Sequence, residues 1–151
     1  MATHTVSVCK GRGSLAHNNR EFATPNVDQS RSHLNIVYKQ ESLPKAYDNI
    51  FGEELMRYNA TQKRADRRIM DYMEHIRNSK NGEKLFYETV VQIGNRYTCG
   101  VLTTNGEMAA KMLDEYMKDF QKRNPNLYVF NAVLHMDEPD GTPHIHIDYV
   151  P

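Results

Sequence analysis

The sequence predicts an α+β domain: about five strands in a mainly antiparallel sheet, flanked by helices. Three observations predict it. Short runs rich in β-branched and aromatic residues stand near both ends and in the middle of the chain. Between them, apolar residues recur with a helical period. The last two strand-like runs are joined by a short Pro-Asp-Gly-Thr-Pro connection, the mark of a hairpin with a long loop.

The elements follow in order. "THTVSVC" (3–9) alternates Val6 and Val8 with polar residues, as a half-buried strand does. Residues 10–32 are polar, rich in Gly, Asn, Ser and Arg, and have little apolar periodicity. Such a long polar segment inside a compact domain points to a functional loop. "HLNIVYK" (33–39) is a second strand, with Leu34, Ile36 and Tyr38 on one face. Leu43-Pro44 suits a helix start, and Tyr47, Ile50, Phe51, Leu55 and Tyr58 keep a 3.6-residue rhythm. A second helical stretch, about 61–78, sets Ile69, Met70, Tyr72, Met73 and Ile76 on one side. "NSKNGEK" breaks it, and "LFYETVVQIG" (85–94) is a strand. Thr104 with Glu107 fits a capping box for the next helix. Its stripe of Met108, Met112, Tyr116 and Phe120, with Leu113 and Met117 beside it, is expected to face the core. Asn124-Pro125 ends that helix, and 127–135 and 144–150 are the last strands.

At 151 residues the chain fits a single domain with a hydrophobic core. It has no apolar window of eighteen residues and no apolar leader, so neither a membrane span nor a secretory signal is expected. Cys9 and Cys99 lack CxxC spacing; they are expected to be reduced thiols, buried in strands of a cytoplasmic protein. Formal net charge is zero, but the charge is unevenly spread. Residues 1–40 hold five Lys and Arg against two acids, and 57–77 hold six against three, whereas 107–148 hold four against eight. A polyanion can therefore find a positive face on a neutral protein. A solvated face of mixed charge is the alternative.

Three of the seven histidines fall in twelve residues near the end of the chain, in "HMDEPDGTPHIHIDYVP". Residues two apart in a strand share a face, so His144 and His146 project side by side, with Asp148 continuing that face. His135 ends the preceding strand and can lie across the hairpin from His144. Three neutral imidazoles converging from a rigid support suit a divalent metal and leave positions open for water or substrate. Mn²⁺, Zn²⁺, Co²⁺ and Ni²⁺ suit such a set better than Mg²⁺. The alternative is a sheet face of exposed or hydrogen-bonded histidines.

This closing stretch resembles the motif H-x-D-E-…-T-P-H-x-H-x-…-V-P of the MobV/Pre-type plasmid mobilisation relaxases, within the wider His-hydrophobic-His endonuclease group. "GSLAHNNREFATPNVDQSRSHLN" resembles their first motif: H-N-x-R, then N-x-D, then S-R-S-H-x-N. The two motifs stand in the family's order at opposite ends of the chain. One departure is the eight residues between His135 and His144, two more than the family's usual spacing.

The resemblance implies one relaxase domain over 1–151, the N-terminal part of a longer protein that dimerises through a downstream region. It implies a metal site on the open face of the sheet, with Mn²⁺ first and Mg²⁺ or Zn²⁺ as alternatives. It also implies a nick in one DNA strand at a transfer origin, with a covalent 5′-phosphate intermediate that is later rejoined, for conjugative mobilisation. The nucleophile would be the first-motif histidine, His17, with Arg20 at the phosphate. Glu138 would sit on the second nitrogen of His17, with Asp137 and Asp148 behind. Every tyrosine ranks below His17, because none is expected in a polar loop. Arg64, Arg67 and Arg68, expected within one helix, would contact DNA phosphates, with Arg12 and Arg31 flanking the single strand near the nick. Two other functions use parts of the same sequence. One is a three-histidine metal hydrolase or oxygenase for a small molecule, which leaves His17 and the arginines idle. The other is an origin-binding protein without catalysis.

Overall fold

A computed structural model of the chain describes residues 4–151. Thr3, expected to begin the first strand, lies outside the described residues. The strands β1 (Val6–Lys10), β2 (Ile36–Gln40), β3 (Tyr87–Ile93), β4 (Tyr128–His135) and β5 (His144–Val150) form one antiparallel sheet in the order β1-β3-β5-β4-β2. This is the α+β fold that the patterning predicts. The helices are α1 (Leu15–Asn18), α2 (Leu43–Thr61), α3 (Tyr72–Arg77), α4 (Thr104–Lys118) and α5 (Phe120–Arg123). Among the described residues no helix is long and apolar enough to cross a membrane.

Alternation along β5 divides the molecule. Ile145 and Ile147 point to one face, where they meet Leu113, Met117 and Phe120 of α4 and α5. His144, His146 and Asp148 point to the other. A bulge in β4 serves that second face: the register with β5 skips Phe130. Phe130 packs with Leu43, Ala46 and Tyr47 of α2, and the adjacent Asn131 lies beneath the histidines. Thus α4 and α5 cover one face of the sheet. On the other face α2 and α3 cover one part, and the histidines occupy the part they leave open.

Several local expectations are corrected. The polar segment 10–32 contains the short α1, and a 3-10 turn over Gln29–Leu34 delays β2 to Ile36. The stretch 61–78 is not one helix: α2 ends at Thr61, a 3-10 turn spans Ala65–Arg67, and α3 starts at Tyr72. Thr103, not Thr104, caps α4, its hydroxyl accepting from the Gly106 N–H. The buried stripe of α4 is Ala109, Leu113 and Met117, while Met108 and Met112 are 57% and 59% exposed. Both stripes repeat every four residues but stand one residue, about 100°, apart round the helix, and the core meets the side that carries Leu113. Val6 and Val8 are 65% and 62% exposed, since β1 is an edge strand extending past the cover of α4. Cys9 is exposed, and the buried Cys99 stands in a bend rather than in a strand.

Candidate metal centre

The hairpin register sets His135 directly opposite His144, and strand alternation puts His146 beside it. The three ring centroids lie 5.2, 4.9 and 5.0 Å apart. One nitrogen from each ring falls within 4.8 Å of the other two.

The outer hydrogen bonds decide which nitrogens face inward. His135 Nε2 donates to the Asn18 carbonyl at 2.7 Å, His144 Nδ1 donates to the Thr142 carbonyl at 2.8 Å, and His146 Nδ1 donates to Glu88 Oε1 at 3.2 Å. These partners leave His135 Nδ1, His144 Nε2 and His146 Nε2 to converge. Two of them, His135 Nδ1 and His146 Nε2, are buried with no hydrogen-bond partner among the described residues. Buried orphan acceptors are costly, and a divalent cation satisfies them. The residues present fit a metal. Burial, then the Arg20 charge, pushes the His135 imidazole down to about 3, and burial lowers that of His144. Both rings are thus neutral at pH 7, as metal ligation requires.

Beneath them lies a carboxylate pair that sequence reasoning missed in part. Glu88 of β3 is opposite Asp148 of β5, and both are buried. The Asn18 amide donates to Glu88 and, at 3.2 Å, to Asp148, while the Asn131 amide donates to Asp148 at 2.8 Å. Although burial opposes ionisation, hydrogen bonds from His146, Asp148 and Asn18 hold Glu88 at about 2. Burial and the neighbouring Glu88 push Asp148 up to about 7. Asp148 Oδ1 has no partner when ionised, and a proton there lets it donate to Glu88. Gly11 makes this packing possible, since a Cβ at that position would meet Glu88 Oε1 at 1.8 Å. Glu88 reads as an outward polar residue of an alternating strand. Only the pairing of β3 with β5 brings it to His146.

His17 sits on α1 with its ring 6.3 Å from those of both His135 and His146. Burial and then Arg20 lower its basicity. Arg20 adopts φ 54, a left-handed conformation rare for arginine that its partners enforce. Its Nε and Nη2 donate to Asp137 at 3.0 and 2.6 Å, and Nη2 also donates to Glu138 at 2.9 Å. Its Nη1 donates to the His17 carbonyl at 3.1 Å and lies 3.4 Å from His17 Nε2. Asp137 is fully buried and also accepts from Ser32 and Asn35, both at 2.8 Å. Burial opposes its ionisation, but these bonds and Arg20 hold its carboxyl well below the usual range.

Glu138 does not bond His17. Arg20 stands between them, and Glu138 lies 3.7 Å from His144 Nε2 instead. The Asp140-Gly141 turn of the longer hairpin loop lines the open cleft over the histidines, and the Gly141 carbonyl accepts from the Val101 N–H.

The basic residues are dispersed. Arg12 shares a groove with Lys10, Lys84 and Glu88. Arg31 donates to the Met136 carbonyl and lines a different groove, beside α4. Arg64, Arg67 and Arg68 lie on and around the 3-10 turn after α2, so the helical face expected to join Arg64 and Arg68 does not form. Arg64 pairs with Asp66 at 2.6 Å. The tyrosine ranking also needs correction: Tyr97 stands in an exposed turn, 80% accessible.

Comparison with known proteins adds two findings. The family described as plasmid recombination enzyme, Mob_Pre, matches residues 24–151. Three solved structures of the MobM relaxase domain, Mn-bound and in complex with plasmid pMV158 oriT DNA, share the fold. Two of them, at pH 4.6 and pH 5.5, match with TM-scores of 0.56 and 0.54 at 22% and 21% identity. The third, at pH 6.8 with a 3′-thiophosphate strand, has a TM-score of 0.52 at 19% identity. Each alignment covers 99% of this chain and 71% of the other. No curated protein matches the chain.

Proposed function

We propose a DNA strand-transfer function on one premise: the chain belongs to the family of plasmid recombination enzymes. In this proposal residues 1–151 form a relaxase unit. It nicks one strand at a transfer origin, keeps the 5′ phosphate on the protein, and later rejoins the strand. The observation that carries the proposal is the position of His17, whose ring α1 sets 6.3 Å from two of three converging imidazoles.

His135, His144 and His146 hold the metal, for which Mn²⁺ is the first choice given the Mn-bound MobM structures. When bound, a divalent ion supplies Lewis-acid stabilisation to a non-bridging phosphate oxygen. The protein supplies the rest. Burial and Arg20 keep His17 neutral at pH 7, so a ring nitrogen carries a free lone pair. That lone pair attacks phosphorus, the P–O3′ bond breaks, and the 3′ oxygen leaves as a hydroxyl, taking through the solvent of the open cleft the proton that the other ring nitrogen of His17 releases. The product is a P–N bond between His17 and the 5′ phosphate. Attack by a 3′ hydroxyl reverses the step and returns the electron pair to the imidazole. Arg20 positions His17 through its carbonyl, and Asp137 and Glu138 hold Arg20. Lys10, Arg12 and Lys84 form a positive groove beside Glu88 that suits the strand's phosphates. Arg31, Arg64, Arg67 and Arg68 serve more distant phosphates.

The test uses Mn²⁺ and supercoiled plasmid carrying the cognate origin. The expected products are nicked circles with protein covalently attached, no adduct from His17→Ala, and no nicking after chelation. Adduct of undiminished yield from His17→Ala, or full nicking by metal-stripped protein, overturns the mechanism. Origin binding without nicking would assign the non-catalytic role.

A further inference from the structure

Arg96 and Tyr97 occupy a turn that the roles above leave unused. The cleft over the histidines has a volume of about 480 Å³, and Asn95 and Arg96 line it together with His17, His144 and His146. Among the described residues lining this cleft, Arg96 is the sole lysine or arginine, and Glu138 and Asp140 are the acids. The other nearby guanidinium, Arg20, is already paired with Asp137 and Glu138. Arg96 has no acidic partner within salt-bridge distance among the described residues. Its guanidinium lies 4.8 Å from the centre of the Tyr97 ring and donates to the Tyr97 hydroxyl at 2.6 Å.

The turn is built to hold these two side chains outward. The Asn95 carboxamide oxygen accepts from the N–H groups of Tyr97 and Thr98 at 2.9 and 3.1 Å. The Asn95 carbonyl accepts from the Cys99 N–H at 2.8 Å. Gly94 has φ 64, and a Cβ there would strike Thr98 and Cys99. Tyr97 nevertheless keeps 80% of its surface in water. A rigid turn gains nothing in packing by presenting a large ring to solvent.

We infer that Arg96 and Tyr97 form a nucleotide subsite: Tyr97 stacks one base of the single strand, and Arg96 contacts its phosphate, next to the phosphate lying over the histidines. This rests on the DNA reading proposed above. Aromatic rings take any base on their faces, and an unpaired arginine adds a phosphate contact, so the subsite gives affinity and register rather than sequence.

The chain contains no tryptophan, which provides a direct probe. Tyr97→Trp places its only indole at the subsite, and titration with single-stranded oligo-dT in Mn²⁺ should quench its fluorescence. Tyr97→Ala should weaken oligo-dT binding about ten-fold, while Tyr97→Phe should keep both binding and covalent adduct. Arg96→Ala should lower the salt slope of binding by about one. A flat indole signal with unchanged affinity in Tyr97→Ala, while the parent protein binds DNA, overturns the subsite alone. Loss of adduct in Tyr97→Phe with binding retained overturns it too, by making the hydroxyl the reacting group. A parent protein that binds no DNA overturns the DNA reading with it.

Discussion

Asp148 shows how one side chain can act against the fold at neutral pH. Burial and Glu88 raise its carboxyl to about 7, from an ordinary 3.8. A raised group adds stability that is complete below the ordinary value and lost as pH rises through the raised one. Asp148→Asn keeps the shape and supplies a permanent donor toward Glu88. It should therefore stabilise the metal-free protein more at pH 8 than at pH 5, as thermal unfolding at the two pH values will show. His135 has the opposite sign. Its imidazole is lowered from 6.5 to about 3, so its contribution is complete above pH 6.5 and fades as pH falls toward 3. The metal-free protein should lose melting temperature steadily below pH 6.5, and Mn²⁺ should offset the loss by binding only the folded, neutral site. Glu88→Gln should weaken Mn²⁺ binding ten- to a hundred-fold in a metal titration, because it loosens the bond that aims His146.

At the scale of elements, the hairpin was largely legible. Period-two alternation places His144 and His146 together, and a Pro/Gly connection implies the register that brings His135 across. Less legible were elements whose ends depend on tertiary contacts. Arg64 to Arg68 look helical by composition, yet the backbone there is tied to α2 by Asn59, whose side chain bonds both the N–H and the carbonyl of Ile69. That clasp fixes a turn where propensity alone favours a helix. The methionine stripe of α4 misleads for a related reason: the Gly100–Val101 backbone packs so tightly on Gly106 that no Cβ fits, and this contact helps to turn the Gly106, Ala109 and Leu113 side of α4 inward. Two consequences are measurable. Thr103→Ala should cost about 1 kcal/mol in urea unfolding, whereas Thr104→Ala should cost far less. Charge reversal at Arg67 and Arg68 together should lower the salt slope of origin binding by about two, though no shared helical face joins them.

Over the whole molecule, the sheet works as a divider. One face is a continuous apolar core against α4 and α5, and the other is shared between the α2 core and a polar site. The five-stranded plan was readable because each strand carries its own alternation. Asp148 could be placed on the histidine face, but its partner Glu88 could not, because it lies 60 positions away and looks like an ordinary polar residue until β3 pairs with β5. Nor was the role of Asn18 readable: its carbonyl holds His135 while its amide serves Glu88 and Asp148.

Those Asn18 bonds also bear on time. Its links to His135 and Asp148 bridge 117 and 130 residues, and the Arg20–Asp137 pair bridges 117. Contacts of such separation are slow to close and come late in folding. A nascent or cleaved chain that stops before β5 lacks His144 and His146, and α1 loses Asp148, one of the partners that hold it. The proposed DNA-cutting centre is thus withheld from any copy that stops before β5, and synthesis itself acts as a safety catch.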